Sequence, residues 1–157
     1  PDIILENNTL KNLLAAAQKL NNKFAFLSPT TKYYKNKSII EVETCKGYAI
    51  FVEKKQFQNM GGWDEKFFLF YEDHDLCKRF NKIRKKTYIV PTSRVKHMTG
   101  GFYKNSASTE IDICKNWHFM WSKFYFYKKH HNYFYSQKEN KVVVHLFLQE
   151  EIHQTIG

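Results

Sequence analysis

The alternation of one helical segment with short apolar segments restricts the fold of this chain more than any other feature. Residues 7–22 repeat leucine and alanine at helical spacing, and the asparagines that precede them can cap a helix. The apolar segments that follow have the length of buried strands and read FAFLSP, SIIEVET, GYAIFVE, TYIVP and SRVKH. We expect FAFLSP to end at Pro29, and TYIVP to end at Pro91 before a separate strand begins. Helices that alternate with short strands pack as layers, so we predict an α/β fold.

The remaining segments indicate further helices. KKQFQNMGG predicts a short helix or turn that ends at paired glycines, and EDHDLCKRFNKIRKK predicts a helix with Leu76, Phe80 and Ile83 on one stripe. From Glu110 to Tyr135 the chain is aromatic and basic, without glycine or proline, and we predict a long helix. The tail from residue 140 suits strand or helix, and we favour helix. We therefore predict an α/β domain over 1–105 and a C-terminal helical region over 106–157.

Charge and cysteine content restrict the environment and the partners. The formal net charge of +10 in 157 residues indicates an acidic partner, such as nucleotide phosphate, nucleic acid or an anionic membrane surface. Three cysteines lie far apart without a C-x-x-C pair, which argues against a disulfide framework or a zinc module and favours a cytoplasmic location. No apolar run has the length of about 18 residues that a membrane span needs.

The acids of this basic chain concentrate in one segment, GGWDEKFFLFYEDHDLCKR at residues 61–79. Glu72, Asp73 and Asp75 fall at the predicted start of a helix, where carboxylates interact favourably with the helix dipole. The alternative is chemical: a glycine turn followed by aromatic rings would form the floor of a pocket. A carboxylate packed against those rings would have a raised pKa, as suits a general base that takes a proton from an alcohol.

The acidic segment resembles the signature of family 2 glycosyltransferases, especially the rhamnosyltransferase-like branch, which typically reads GGFDExFFxYxEDxDLxxR. Trp63 stands here in place of phenylalanine, and Tyr71 directly precedes Glu72, while the acids are intact. The flanking segments GYAIFV, YIVP and VKH resemble further motifs of that family. The resemblance covers about residues 1–103, and residues 116–121, NWHFMW, are similar to the variable C-terminal helices of such enzymes.

The resemblance implies a partial glycosyltransferase-A fold, a Rossmann-like mixed sheet flanked by helices. It implies an inverting enzyme that transfers a sugar from a nucleotide-diphosphate donor to a hydroxyl of a glycan or lipid-linked acceptor. Asp73 would be the general base, and Glu72 would act beside it, either in the chemistry or only as an acceptor contact. The residues that would contact the acceptor are Trp63, Asp64, Glu65 and Asp75, and the alternative role of Asp75 is to buttress the loop.

The resemblance also implies a divalent metal, Mg²⁺ or Mn²⁺. The Pro1-Asp2 pair resembles the end of the family's metal motif, which makes Asp2 a metal ligand, and His97 matches a family histidine that can complete the site. A lone histidine at the end of a strand also has a purely structural explanation. Gly47, Gly100 and Gly101 would form a loop near the donor diphosphate, or simply turns.

The nucleotide pocket of that family lies mostly before its metal motif. We therefore expect this chain to lack an N-terminal donor-binding half and to be inactive alone. The aromatic, lysine-rich C-terminal helix has the composition of a segment that contacts the inner face of a membrane, although the same rings would also suit packing on the sheet. The alternative function is a non-catalytic remnant or a basic module that binds glycan or nucleic acid. Scattered basic residues and the acidic cluster argue against nucleic acid.

Overall fold

The computed structural model of the protein describes residues 2–98 and 108–139, with the side chains of residues 108 and 109 left aside. Within these ranges the chain is a mixed α/β protein with four strands and five helices, which confirms the predicted class. In chain order the elements are β1 (Ile3–Leu5), α1 (Thr9–Lys19), β2 (Phe26–Thr30), β3 (Ile40–Val42), α2 (Lys54–Asn59), α3 (Glu72–Lys82), β4 (Thr87–His97), α4 (Ser108–His130) and α5 (Tyr133–Glu139).

Strand β4 organises an open, mixed sheet, because the three shorter strands all pair with it. Its first half runs parallel to β2, with Phe26 opposite Thr87, and antiparallel to β3, with Val42 opposite the same threonine. Its second half runs antiparallel to β1, with Ile3 opposite His97. One long strand therefore pairs with β2 and β3 through its first half and, through its second half, places the N-terminal segment beside His97.

Two prolines lie inside strands that we expected them to end. β2 continues through Pro29, and β4 continues through Pro91, so TYIVP and SRVKH form one strand and not two. The β2–β4 register shifts between Ser28 and Thr30, where proline lacks the N–H that a regular ladder needs. The sheet therefore accommodates both prolines at a local shift in the pairing of β2 and β4. GYAIFVE is also not a strand, since only Phe51 forms a bridge, to Leu27.

Helices α1 and α3 contribute to two separate hydrophobic clusters. Leu13, Ala16 and Ala17 of α1 pack with Phe24, Leu27 and Val90. Leu76, Cys77 and Phe80 of α3 pack with Ala25, Phe26 and Cys45. Since successive strand residues point to opposite faces, Phe26 and Leu27 assign these clusters to the two faces of the sheet. Ile83, expected on the buried stripe of α3, is 54% exposed because the helix ends at Lys82 and Arg84 is left-handed.

The described chain forms two compact units. The first contains residues 2–64 and 72–98, and the second contains residues 65–71 and 108–139. In the second unit the predicted long helix is present as α4, and α5 follows it after a break near Asn132. No helix in the described ranges is both long and apolar enough to cross a membrane. The predicted helix in the tail lies outside the described residues.

Candidate active site

Asp73 lies in the first turn of α3 and is held by three hydrogen bonds. The backbone N–H of Gly47 donates to its Oδ2 at 2.7 Å, and the backbone N–H of His74 donates to its Oδ1 at 2.7 Å. The Nδ1 atom of His74 lies 2.7 Å from the same Oδ1. The residue is only 9% exposed, so these contacts fix the carboxylate at the point where the loop around Gly47 meets α3.

The two adjacent acids have opposite electrostatic environments. Burial alone would raise the pKa of Asp73, but the hydrogen bond and charge of His74, with the N–H groups of Gly47 and His74, lower it below its ordinary value. Burial raises the pKa of Glu72, and its Oε2 atom is buried without a hydrogen-bond partner in the described part of the chain. The raised pKa expected for a buried carboxylate therefore occurs at Glu72 and not at Asp73.

Asp2 and His97 meet where β1 pairs with the end of β4. The antiparallel register of β1 and β4 places Ile3 opposite His97, and the N–H of Met98 donates to the carbonyl of Asp2 at 2.7 Å. The His97 Nε2 atom lies 2.9 Å from the Asp2 Oδ2 atom. The hydrogen bond to His97 lowers the pKa of Asp2, whose carboxylate is well exposed.

These two side chains fit a divalent cation in their chemistry. A carboxylate and an imidazole suit Mn²⁺, and the carboxylate alone suits Mg²⁺, which usually keeps several waters and phosphate oxygens as its other ligands. Among the described residues, no group of three or more His, Cys, Asp or Glu side chains is arranged to hold a metal. Asp2 and His97 would therefore supply a minority of the ligands, as in sites that a bound phosphate completes.

The turn at Gly47 and Tyr48 connects the two groups of predicted residues. Gly47 donates its N–H to Asp73, and the ring of Tyr48 stacks on His97 with a centroid distance of 5.2 Å. The next contact in this series is from His97 to Asp2. Residues from four separate parts of the sequence thus form one continuous series of contacts in the first unit. Gly47 was predicted to lie near a diphosphate, and it contacts the predicted base.

Asp75 lies in the protein interior, where its contacts are those of a residue that buttresses the loop, the alternative to an acceptor contact. Its side chain is fully buried, and Arg79 Nε donates to its Oδ2 at 2.8 Å. The same guanidinium donates to the carbonyls of Met60 and Gly62. The pair therefore ties α3 to the glycine turn, where Gly61 and Gly62 both have positive φ.

The aromatic run of the acidic segment is engaged by α4 within the second unit. The ring of Phe67 lies 4.8 Å from that of Tyr125, and the ring of Tyr71 lies 5.3 Å from that of Phe126. Ser122, fully buried, donates to the carbonyl of Leu69 at 2.7 Å. These contacts account for the spacing of the rings by packing against α4, whereas we expected the rings to form the floor of a pocket.

The other predicted residues are distributed between the units. Trp63 is 43% exposed and packs edge-on against Phe57, and Asp64 is half-buried in the same unit. Glu65 is exposed and belongs to the second unit. Gly100 and Gly101 lie outside the described residues. The sequence analysis did not predict that His74 and Tyr48 contact the site residues. The position of His74 between two acids of the motif could have indicated its contact with Asp73.

Comparison of the sequence with family models and with curated proteins found no match.

Proposed function

We propose that this chain carries the acceptor side of an inverting glycosyltransferase of the family 2 type, with a partial glycosyltransferase-A fold. One observation supports this proposal above the others. Asp73, Gly47, His97 and Asp2, chosen by resemblance from separate segments, form a continuous series of contacts through Tyr48.

Asp73 accepts the proton in the proposed reaction. The acceptor hydroxyl forms a bond to the anomeric carbon from one face, while the bond from that carbon to the diphosphate oxygen breaks on the opposite face. The hydroxyl proton passes to Asp73, and the diphosphate leaves with the electron pair of the broken bond. The lowered pKa of Asp73 keeps its carboxylate ionised at neutral pH, which is the form a base needs, but it also makes Asp73 a weaker proton acceptor than a carboxylate with a raised pKa, such as Glu72.

Asp2 and His97 would hold a divalent cation on the donor side. Such a cation stabilises the negative charge that develops on the leaving diphosphate. The contact between His97 and Tyr48 orients the imidazole, since the stacked ring limits its rotation. Tyr48 is then a positioning residue for the metal ligand, and Gly47 is a positioning residue for the base.

The proposal is tested by sugar transfer catalysed by the native gene product. Nucleotide-diphosphate sugars are supplied with Mn²⁺ and with glycan or lipid-linked acceptors, and the anomeric configuration of the product is determined. Asp73→Asn should reduce the rate about 10²–10⁴-fold, the usual contribution of a general base. The control is Asp112→Asn, the same chemical change at an exposed position of α4.

Three results would contradict the proposal. Transfer that persists in Asp73→Asn at the rate of the control removes the base assignment. A product with retained configuration removes the inverting mechanism. A native gene product that transfers sugar from no donor of the panel removes the enzymatic function altogether.

A further inference from the structure

A cavity of about 290 Å³ opens in the first unit beside the turn at Gly47 and Tyr48. Four parts of the chain line it: the end of β2 with the residues that follow, the loop from Thr44 to Tyr48, His74 on α3 and Ile89 on β4. The cavity lies beside the carboxyl end of β2, and its size suits a single sugar ring with its substituents.

The lining of this cavity is cationic and rich in hydroxyl groups. Its basic side chains are those of Lys32, Lys46 and His74, its weakly acidic groups are the phenols of Tyr34 and Tyr48 and the thiol of Cys45, and no carboxylate belongs to the described lining. Serine and threonine hydroxyls contribute at four further positions, namely Ser28, Thr30, Thr31 and Thr44. Hydroxyl groups can both donate to and accept from the hydroxyls of a sugar, whereas the ammonium groups only donate and attract an anion.

The three acids nearest this cavity differ in their environments. Asp73 is paired with His74, Asp75 is paired with Arg79, and Glu72, beside Gly47, is desolvated, which raises its pKa. Asp73 accepts from Gly47 and contacts His74, so it favours the imidazolium form of His74 without lining the cavity itself. The positive charge that the lining presents to a ligand is therefore mainly that of Lys32 and Lys46, because Asp73 balances the charge of His74.

We propose that this cavity binds an anionic sugar, with Lys32, Lys46 and His74 around a phosphate or carboxylate and the hydroxyl-bearing side chains around the ring. The inference deepens the proposed function and rests on it in one respect: the bound sugar is then the acceptor. Asp73 does not line the cavity, but it contacts His74 in the cavity wall, so one residue separates the proposed base from the bound ring. The acceptor would therefore carry a phosphate or a carboxylate.

The inference is tested by calorimetric titration of the full chain with four separate ligands. Glucose 1-phosphate and glucuronate present the two anions on a sugar ring, glucose presents the ring alone, and inorganic phosphate presents the anion alone. We expect saturable binding of at least one anionic sugar, at least tenfold tighter than binding of glucose or of inorganic phosphate. The comparison between the two anionic sugars identifies phosphate or carboxylate as the recognised group.

A pair of double variants with equal loss of charge separates the site from general electrostatics. Lys32→Ser with Lys46→Ser removes the two ammonium groups from the lining and should weaken the binding at least tenfold. Lys54→Ser with Lys55→Ser removes two exposed ammonium groups from α2 and should leave the binding unchanged. All four lysines are exposed, so thermal unfolding should confirm that both proteins fold.

Several results would overturn the inference. These are equal binding of glucose and the anionic sugars, binding of inorganic phosphate alone, and equal losses in the two double variants. The readout is binding and not transfer, so the two proposals fail separately. Sugar transfer without binding of anionic sugars removes only the cavity inference, while binding without any transfer removes only the enzymatic function.

Discussion

The imidazole Nδ1 of His74 lies 2.7 Å from the carboxylate Oδ1 of Asp73, so two consecutive residues form an ion pair in the first turn of α3. The hydrogen bond to Asp73 raises the pKa of His74 above 6.5, and the charge of Asp73 adds to this effect against the opposing effect of burial. The same contact contributes to the lowered pKa of Asp73. One contact thereby favours the charged forms of both the proposed base and a residue of the cavity wall.

The ion pair predicts a stability difference that depends on pH. The contribution of His74 is complete below pH 6.5 and is lost as the pH rises through its higher folded pKa. The contribution of Asp73 is complete above pH 3.8 and is lost as the pH falls through its lower folded pKa. The free energy of unfolding lost in His74→Gln should therefore be greatest between these two values and smaller at pH 9. Urea unfolding at several pH values measures this loss of unfolding free energy. The control is His131→Gln, at an exposed position. A loss in His74→Gln that does not change with pH would contradict the ion pair.

The buried pair of Asp75 and Arg79 should contribute to stability and not to sugar binding. Asp75→Asn leaves the guanidinium without its charged partner, which typically costs about 3–5 kcal/mol for a buried pair. Chemical denaturation should show this loss, whereas the affinity for anionic sugars in the folded fraction should not change. Asp112→Asn, at an exposed site, should cost no more than about 0.5 kcal/mol. A weakened ligand affinity in folded Asp75→Asn would return this residue to the acceptor site.

Gly47 should be sensitive to substitution because of its neighbour and not because of its backbone. A Cβ atom at Gly47 would lie 3.3 Å from both the Cβ and the Oδ2 of Asp73, which is close enough to displace the carboxylate. Gly47→Ala should therefore reduce any sugar transfer strongly at a stability cost of about 1–3 kcal/mol. Gly61→Ala is the matched comparison, because a Cβ atom at Gly61 would have no neighbouring atom within 4 Å. The φ of 80° at this position is nevertheless unfavourable for alanine. That variant should lose about 1–2 kcal/mol of stability and keep its transfer rate.

Glu72 should be a destabilising carboxylate at neutral pH. Since its pKa in the folded protein lies above 4.5, ionisation opposes folding increasingly as the pH rises from that value. Glu72→Gln removes this penalty and should leave stability at pH 7 unchanged or slightly higher, whereas Asp73→Asn should lower it. Thermal unfolding of the two single variants at pH 7 provides the comparison. A clear loss of stability in Glu72→Gln would mean that the carboxylate has a stabilising partner.

The three cysteines should differ in their reaction with a thiol reagent. Cys114 is exposed, whereas Cys45 and Cys77 are 4% and 0% exposed and their Sγ atoms lie 3.9 Å apart. We expect one fast-reacting thiol in the native protein, removed by Cys114→Ser, and two more after unfolding. Although contact with Cys45 lowers the pKa of Cys77 to about 7, burial should keep it unreactive. Two fast-reacting thiols in the native state would contradict the packing of α3.

The helices could be predicted because their signals are local. The apolar spacing of α1 and α3 and the paired glycines after α2 lie within one or two turns of the residues that they control. The strands were less predictable, because proline is compatible with a strand only where its missing N–H is not needed. Pro29 and Pro91 meet that condition at the shifted register of β2 and β4, which depends on pairing between distant segments.

The amino-acid sequence by itself determined the α/β class, the glycine turn, the basic surface charge and the concentration of acids at the start of α3. Only the tertiary structure decided what each acid does. Asp73 contacts Gly47, 26 residues away, and Asp2 contacts His97, 95 residues away. Glu72, Asp73 and Asp75 are near neighbours in sequence, yet one is desolvated, one is hydrogen-bonded and one is ion-paired. Burial and long-range contacts set the pKa of a carboxylate, and neither is encoded in its immediate sequence neighbours.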